Sequence, residues 1–129
     1  MRTLMYSILM PGLCLLFAQC QSDDTVSAES FLANAVDITV MGETLIIDNQ
    51  SGHSISYFAV EAEYAARIDW APISQDSHTI ADGQLKDIPW SEIVPAATVK
   101  SGDEIIVYWW PTQPGIAKSE ELQYRNIKL

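Results

Sequence analysis

Two histidines stand beside serines in turn-rich stretches, His53 within Ser51-Gly52-His53-Ser54 and His78 within Asp76-Ser77-His78. A serine, an imidazole and a carboxylate make an acyl-transfer centre only when the base reaches the hydroxyl and the acid orients the base. Ser54, or Ser77 with Asp76, supplies the residue types. Sequence neighbours, however, usually point apart, and no glycine-flanked nucleophile elbow surrounds either serine. These groups read as polar turn formers, and catalysis is not expected.

Carboxylates are more numerous. Glu61 and Glu63 are two positions apart, which on a strand sets both on one face about 7 Å from each other, close enough for a modest cation site or a raised pKa. Asp69, and Asp103 beside Glu104, offer similar groupings. With 17 acidic residues against 7 basic ones, such pairs follow from composition, and they are expected on solvated surface or at strand edges. The histidines are 25 positions apart, no cysteine follows residue 20, and no Asp-x-Asp-x-Asp-Gly loop occurs. No metal or cofactor is therefore expected. Asn49-Gln50-Ser51 has the form of an N-glycosylation acceptor, relevant only in a eukaryotic source.

The tryptophans are the stronger candidates. Trp109 and Trp110 are consecutive in an apolar run, so on a strand they project to opposite faces: if one fills the core, the other lies outside or under a loop. An exposed indole ringed by polar groups stacks on a sugar or anchors a partner. Trp70 and Trp90, each beside a proline-containing turn, are expected to add to the same rim. The competing expectation is that these indoles close a small core under a loop.

Cys20 raises a different chemistry. It follows an apolar segment, "ILMPGLCLLFA" (8 to 18), and precedes the acidic "QSDD", with Arg2 as the basic residue at the start. That is the layout of a secretory signal peptide over residues 1–19. Pro11-Gly12 interrupts it, and it falls short of the roughly 20 apolar residues a spanning helix needs. Residues 2 to 24 resemble a bacterial lipoprotein signal. The resemblance implies that the Cys20 sulfur carries a diacylglyceryl group, that cleavage leaves Cys20 as the first residue, and that fatty acyl chains such as palmitate anchor it. Ala18 matches the family's pattern. Phe17 and Gln19 depart from it, standing where Leu and a small residue are favoured. The alternative is ordinary signal-peptidase cleavage after Ala18 or after the Ala-Gln-Cys tripeptide. Cleavage after Ala18 would leave a reactive thiol at a flexible terminus. "QSDD" and Asp24-Thr25-Val26 also resemble the export tag and O-glycosylation pattern of surface lipoproteins in the Bacteroidetes group, against the plainer reading of a solvated tether. The expected location is the cell envelope, lipid-anchored to the outer membrane, on its periplasmic or its outer side; a secreted soluble form is the alternative.

Charge narrows the partners. All 17 acidic residues follow Cys20, as do six of the 7 basic ones, so the mature part carries a formal charge of −11. Such a surface repels phosphate backbones, which excludes nucleic acid, and it does not adhere unaided to an anionic membrane face. A protein or glycan partner is compatible with it.

Residues 20–34 read as a lipidated tether and 35–129 as one domain, an immunoglobulin-like antiparallel β-sandwich of six or seven strands, all-β. "VDITV" (36 to 40) alternates Val36, Ile38 and Val40 against polar residues. "TLIIDN" (44 to 49) and "SISYFAVEAE" (54 to 63) flank a turn and are expected to pair as a hairpin. The second run is apolar on both faces, as befits a central strand. "EYAARIDWAP" suggests a helical turn and then a strand near Ile68 to Trp70. Gly83 divides Ile80 from Leu85 and Ile88, and Ser91 is a possible helix cap. "EIIVYWW" (104 to 110) is the strongest strand. "ELQYRNIKL" (121 to 129) changes phase in a way that suggests a bulge. "PTQPGIAKS" (111 to 119) is the segment an enzyme inhibitor would use as a protruding loop. Generic likeness to immunoglobulin-like extracellular domains implies a scaffold and assigns no active residue.

Overall fold

A computed structural model describes residues 33–129. The leader, Cys14, Cys20, the acidic "QSDD" and Asp24-Thr25-Val26 lie outside them.

Strand β1 (Val36–Met41) buries Val36 and Ile38 and half-buries Val40, realising the period of two in its sequence. Gly42 turns it back with φ +58°, at the position that a two-residue hairpin turn reserves for glycine. β2 (Thr44–Asn49) pairs with β1 from Thr44 opposite Met41 to Asn49 opposite Val36. β5 (Gln84–Pro89) lies along the other side of β2, giving a sheet of order β1-β2-β5. The second sheet has the order β4-β3-β6-β7, built from β3 (Ile55–Glu61), β4 (Thr79–Ile80), β6 (Glu104–Pro111) and β7 (Gln123–Lys128). Every strand pair is antiparallel.

The described residues thus form an all-β, seven-stranded immunoglobulin-like sandwich. It differs from the constant-type arrangement in one respect: the short β4 borders β3 rather than β5. The core lies between the sheets. Leu45, Ile47 and Ile88 face Ile55, Tyr57, Ile105, Val107 and Trp109 across it. Each fully buried aliphatic side chain contributes about 1.5–3 kcal/mol relative to exposure. At the open side Arg125 of β7 reaches β1. Its guanidinium donates to the carbonyls of Ala33 and Val36 at 3.3 Å each and sits 5.7 Å from the Trp109 ring centroid.

Four local expectations change. β2 and β3 do not form a hairpin. Residues 50–54 carry the chain from one sheet to the other, so that the inward side chains of the two strands stack face to face, while β3, apolar on both faces, takes a central place between β4 and β6. Ile68 to Trp70 is not a strand. A helical turn, α1 (Ala62–Ala65), ends β3, and the chain then runs over the outside of the four-stranded sheet. Ser91 caps nothing: it falls inside a 3-10 turn over Trp90–Glu92 that follows Pro89. β7 pairs with β6 in unbroken register from Gln123 to Lys128, so the change of phase between Tyr124 and Ile127 is no bulge: Tyr124 faces outward and Ile127 packs against the core.

Candidate functional site

In β6, Ile105, Val107 and Trp109 point into the core, so Ile106, Tyr108 and Trp110 point the other way. The same rule turns Phe58 of β3 and Tyr124 of β7 outward. Register brings them into line, since Phe58 is opposite Tyr108 and Tyr108 opposite Tyr124. The result is an aromatic row across three strands of one sheet, on the face away from the core.

Trp70 lies over this row. Its ring centroid is 4.8 Å from Phe58, 4.6 Å from Tyr108 and 6.2 Å from Trp110, and the tilts of 36° to 55° suit the quadrupoles of the rings. The segment that carries it is fastened at several points. Ser74 Oγ accepts from the Trp110 indole N–H at 3.3 Å and from the Gln113 backbone N–H at 3.1 Å. The Ala117 N–H donates to the Pro72 carbonyl at 2.9 Å, and Ile73 bridges Ile116 in antiparallel fashion. A polar ladder continues the same face, with Ser56 Oγ 3.0 Å from Thr112 Oγ1.

A cavity of about 280 Å³ is lined by Tyr57, Phe58, Trp70, Trp110, Gln75 and His78, with Tyr57 coming from the core face of β3 and Phe58 from the outer face. A smaller cavity of about 20 Å³ shares Tyr57, Phe58, His78 and Val94 with it and is also lined by Glu92. The Tyr57 phenol is held above its ordinary pKa, first by burial and then by the negative charge of Glu92. The His78 ring is 5.4 Å from that of Tyr57, and its Nδ1 lies 2.8 Å from the Ser77 hydroxyl. The wall is thus apolar and aromatic with a few convergent polar groups, the composition of a small-ligand site.

The four tryptophans separate accordingly. Trp70 and Trp110 come together at the cavity, although Trp110 is 2 % exposed and shows little more than the surface the cavity opens to. Trp109, also 2 % exposed, belongs to the core, because the strand alternation that turns Trp110 outward turns it inward. The expectation of a surface indole at Trp109 is corrected on that ground. Trp90 packs against the core from a different cavity, beside Glu43, Val99 and Lys100, and does not join the Trp70 rim. Its buried indole N–H has no hydrogen-bond partner. Cys20 lies outside the described residues.

Glu61 ends β3 and caps α1, its carboxylate accepting from the N–H groups of Glu63 at 3.3 Å and Tyr64 at 3.1 Å. Glu63 is in the helix, so the two carboxylates do not share a strand face. Ser54 and His53 are exposed in the crossover between sheets, and the His53 carbonyl accepts from Asn49. The 111–119 loop is tied to residues 72–74 by the bonds that fasten Trp70. Among the described residues, no group of three or more His, Cys, Asp or Glu side chains is placed to hold a metal ion.

Phe58, Tyr108, Tyr124 and Gln75 were not expected at a site. The signal was present: β3 and β6 are apolar on both faces, and a sheet with one face already in the core needs such residues outside only if something covers them.

Comparison with family models, curated proteins and solved structures finds no match to this chain.

Proposed function

We propose that this chain is a non-catalytic binding or accessory module of the bacterial cell envelope, carried on a lipid anchor at Cys20, and that it takes its ligand in the cavity that Trp70 lines. The observation that carries this reading is the placement of Trp70, an indole laid across Phe58 and Tyr108 from a strap that three hydrogen bonds hold in place. A side chain of that size on an outer face stabilises the fold modestly, while with Trp110 it walls a space of ligand dimensions. The binding reading is supported over that of an inhibitor, because the 111–119 loop is tied down instead of projecting. It is supported over a hydrolase by the setting of Ser77 and His78, exposed on a three-residue turn.

Intrinsic tryptophan fluorescence of the mature chain, titrated with glycan and peptide panels, tests the site. Saturable change that Trp70→Phe weakens supports it; a spectrum indifferent to every compound rejects it. The anchor is tested separately by Cys20→Ser, which is expected to move the protein from the detergent-soluble fraction to the freely soluble one, and by mass spectrometry of the mature N-terminus. Unchanged partitioning, or an unmodified thiol at that terminus, rejects the anchor and leaves the cavity reading standing.

A further inference from the structure

Strand β3 has a gap along the edge that faces away from β6. The Thr112 N–H donates to the Ser54 carbonyl at 2.9 Å, which sets the phase of the ladder: Ser54, Ser56, Phe58 and Val60 turn their backbone groups to β6. Ile55, Tyr57, Ala59 and Glu61 therefore turn theirs to the opposite edge. Two segments occupy that edge. β4 pairs with Ile55 and Ser56, and Val94 bridges Val60 in parallel fashion, its N–H donating to the Ala59 carbonyl at 3.1 Å and its carbonyl accepting from the Glu61 N–H at 2.8 Å.

Neither segment covers the stretch between them. His78 would continue β4 opposite Tyr57, but its N–H turns to the Gln75 carbonyl at 3.0 Å. Glu92 would continue the Val94 segment and bring its carbonyl to the Ala59 N–H, but it lies in the 3-10 turn that follows Pro89. The Tyr57 carbonyl and the Ala59 N–H are left facing the gap, one acceptor and one donor. The cavity of about 20 Å³ lies there, against Tyr57, Phe58, Ala59, His78, Val94 and Glu92, with room for one group the size of a hydroxyl. The gap also explains why Tyr57 and Phe58, consecutive and on opposite faces, line the larger cavity together: it meets β3 at the edge of the strand.

This pairing of groups selects among ligands. An ammonium only donates and leaves the Ala59 N–H without an acceptor. A carboxylate only accepts, leaves the Tyr57 carbonyl unpaired and meets the charge of Glu92. A hydroxyl donates and accepts at once. The larger cavity adds apolar ring surface, Gln75 and His78 as hydrogen-bonding side chains, and neither lysine nor arginine. Such a lining suits a body whose C–H faces are rimmed by hydroxyls. A peptide strand is the other chemistry an open sheet edge takes, yet β4 and Val94 block this edge at both ends.

Resting on the reading of this region as the binding site, we propose that it takes a neutral sugar residue, one hydroxyl filling the gap between the Tyr57 carbonyl and the Ala59 N–H and the ring lodging in the larger cavity.

The test follows the Ala59 amide and the Trp70 and Trp110 indole signals of the isotope-labelled mature chain by NMR. The probes are glucose, galactose and mannose, their uronates, the disaccharides lactose and cellobiose, and trialanine. A neutral sugar is expected to shift the Ala59 amide saturably, with the matching uronate weaker by about threefold or more. Glu92→Gln, a change at an exposed position, is expected to narrow that difference while leaving the neutral sugar within about twofold of its original affinity. Tighter binding of a disaccharide supports the end of a glycan as the source, and tighter binding of a hexose supports a free sugar. A sugar that moves the indole signals and not the Ala59 amide overturns the gap as the hydroxyl site and leaves the cavity reading standing. Equal or tighter binding of the uronate, or preference for trialanine, overturns the neutral sugar in the same way. Silence toward every probe overturns it as well, and the wider fluorescence panels then decide the cavity reading separately.

Discussion

The side-chain amide of Asn49 donates to the Ile80 carbonyl at 3.0 Å, joining the last residue of β2 in one sheet to β4 in the other across 31 positions of sequence. Its second amide hydrogen goes to the His53 carbonyl at 2.7 Å, while Oδ1 accepts from the Ser51 hydroxyl at 2.6 Å and the Ser51 N–H at 3.1 Å. Two carbonyls on one side and an N–H on the other fix which end of the amide is nitrogen. Asn49 is fully buried, so the Asn-Gln-Ser sequence is a structural staple here and its amide is turned away from any modifying enzyme.

Asn49→Ala removes the side chain that bonds the Ile80 and His53 carbonyls and the Ser51 N–H and hydroxyl, the Ser51 hydroxyl alone still reaching the His53 carbonyl, and is expected to destabilise the domain by about 2–3 kcal/mol. Urea unfolding of the variant checks this. A loss below about 0.5 kcal/mol would mean that water replaces the staple.

The two kinds of tryptophan predict two kinds of mutant. Trp109→Ala removes the largest side chain of the core and is expected to cost about 3–5 kcal/mol, enough to unfold many domains of this size. Trp70→Ala strips the outer face only, with an expected cost of about 1–2 kcal/mol. Denaturant midpoints of the pair separate the roles; equal losses would place Trp70 in the core as well.

Tyr57 makes the fold sensitive to alkali. Its folded-state pKa is raised above the usual 10.0 by burial and by Glu92. The unfolded chain therefore gives up this proton first. The stabilisation is complete below pH 10 and is lost as pH rises from there through the folded value. Tyr57→Phe is expected to abolish this share of the alkaline decline in Tm between pH 9.5 and 12, leaving Tm at pH 7 little changed. An unaltered decline would show that the other tyrosines cause it.

Glu121 acts at the opposite end of the scale. The Gln113 side-chain amide, donating at 2.8 Å, and then the Lys118 backbone N–H at 3.2 Å hold its carboxylate below the usual 4.5. Its contribution is present above that value and is lost as pH falls through the lower, folded one. Acid is thus expected to loosen the 113–121 loop before the sheets melt, seen as faster amide exchange of Lys118 and Glu121. Glu121→Gln should show that looser loop already at pH 7.

Arg125→Met tests the closure of the open side. The variant keeps the length of the side chain while removing the donors to Ala33 and Val36 and the charge over Trp109. The expected result is fraying of the first residues of β1, read as lost exchange protection at Ile38, with a stability loss of about 1–2 kcal/mol.

What the sequence determined by itself was the set of strands and their inward faces. Val36 with Ile38, Leu45 with Ile47, and Ile105 with Val107 and Trp109 each announce a buried side by a period of two, which is local geometry and needs no partner. The opposition of Trp109 and Trp110 follows from the same rule. The sequence also carried, in β3 and β6, an excess of apolar residues on the second face, without saying what covers it.

Only the tertiary structure decided which strands pair and what lies over that second face. Whether β2 joins β3 in one sheet or stacks against it depends on contacts such as Asn49 with Ile80, and these are invisible to any window of neighbouring residues. Trp70 looks like a strand residue because Ile68 to Trp70 is β-prone. It becomes a cover because Phe58, Tyr108 and Trp110, from two other strands, offer it more ring contact than a sheet edge would. A site assembled from residues 57 to 110 is a long-range object, and its energy lies in contacts between segments, which local propensity does not record.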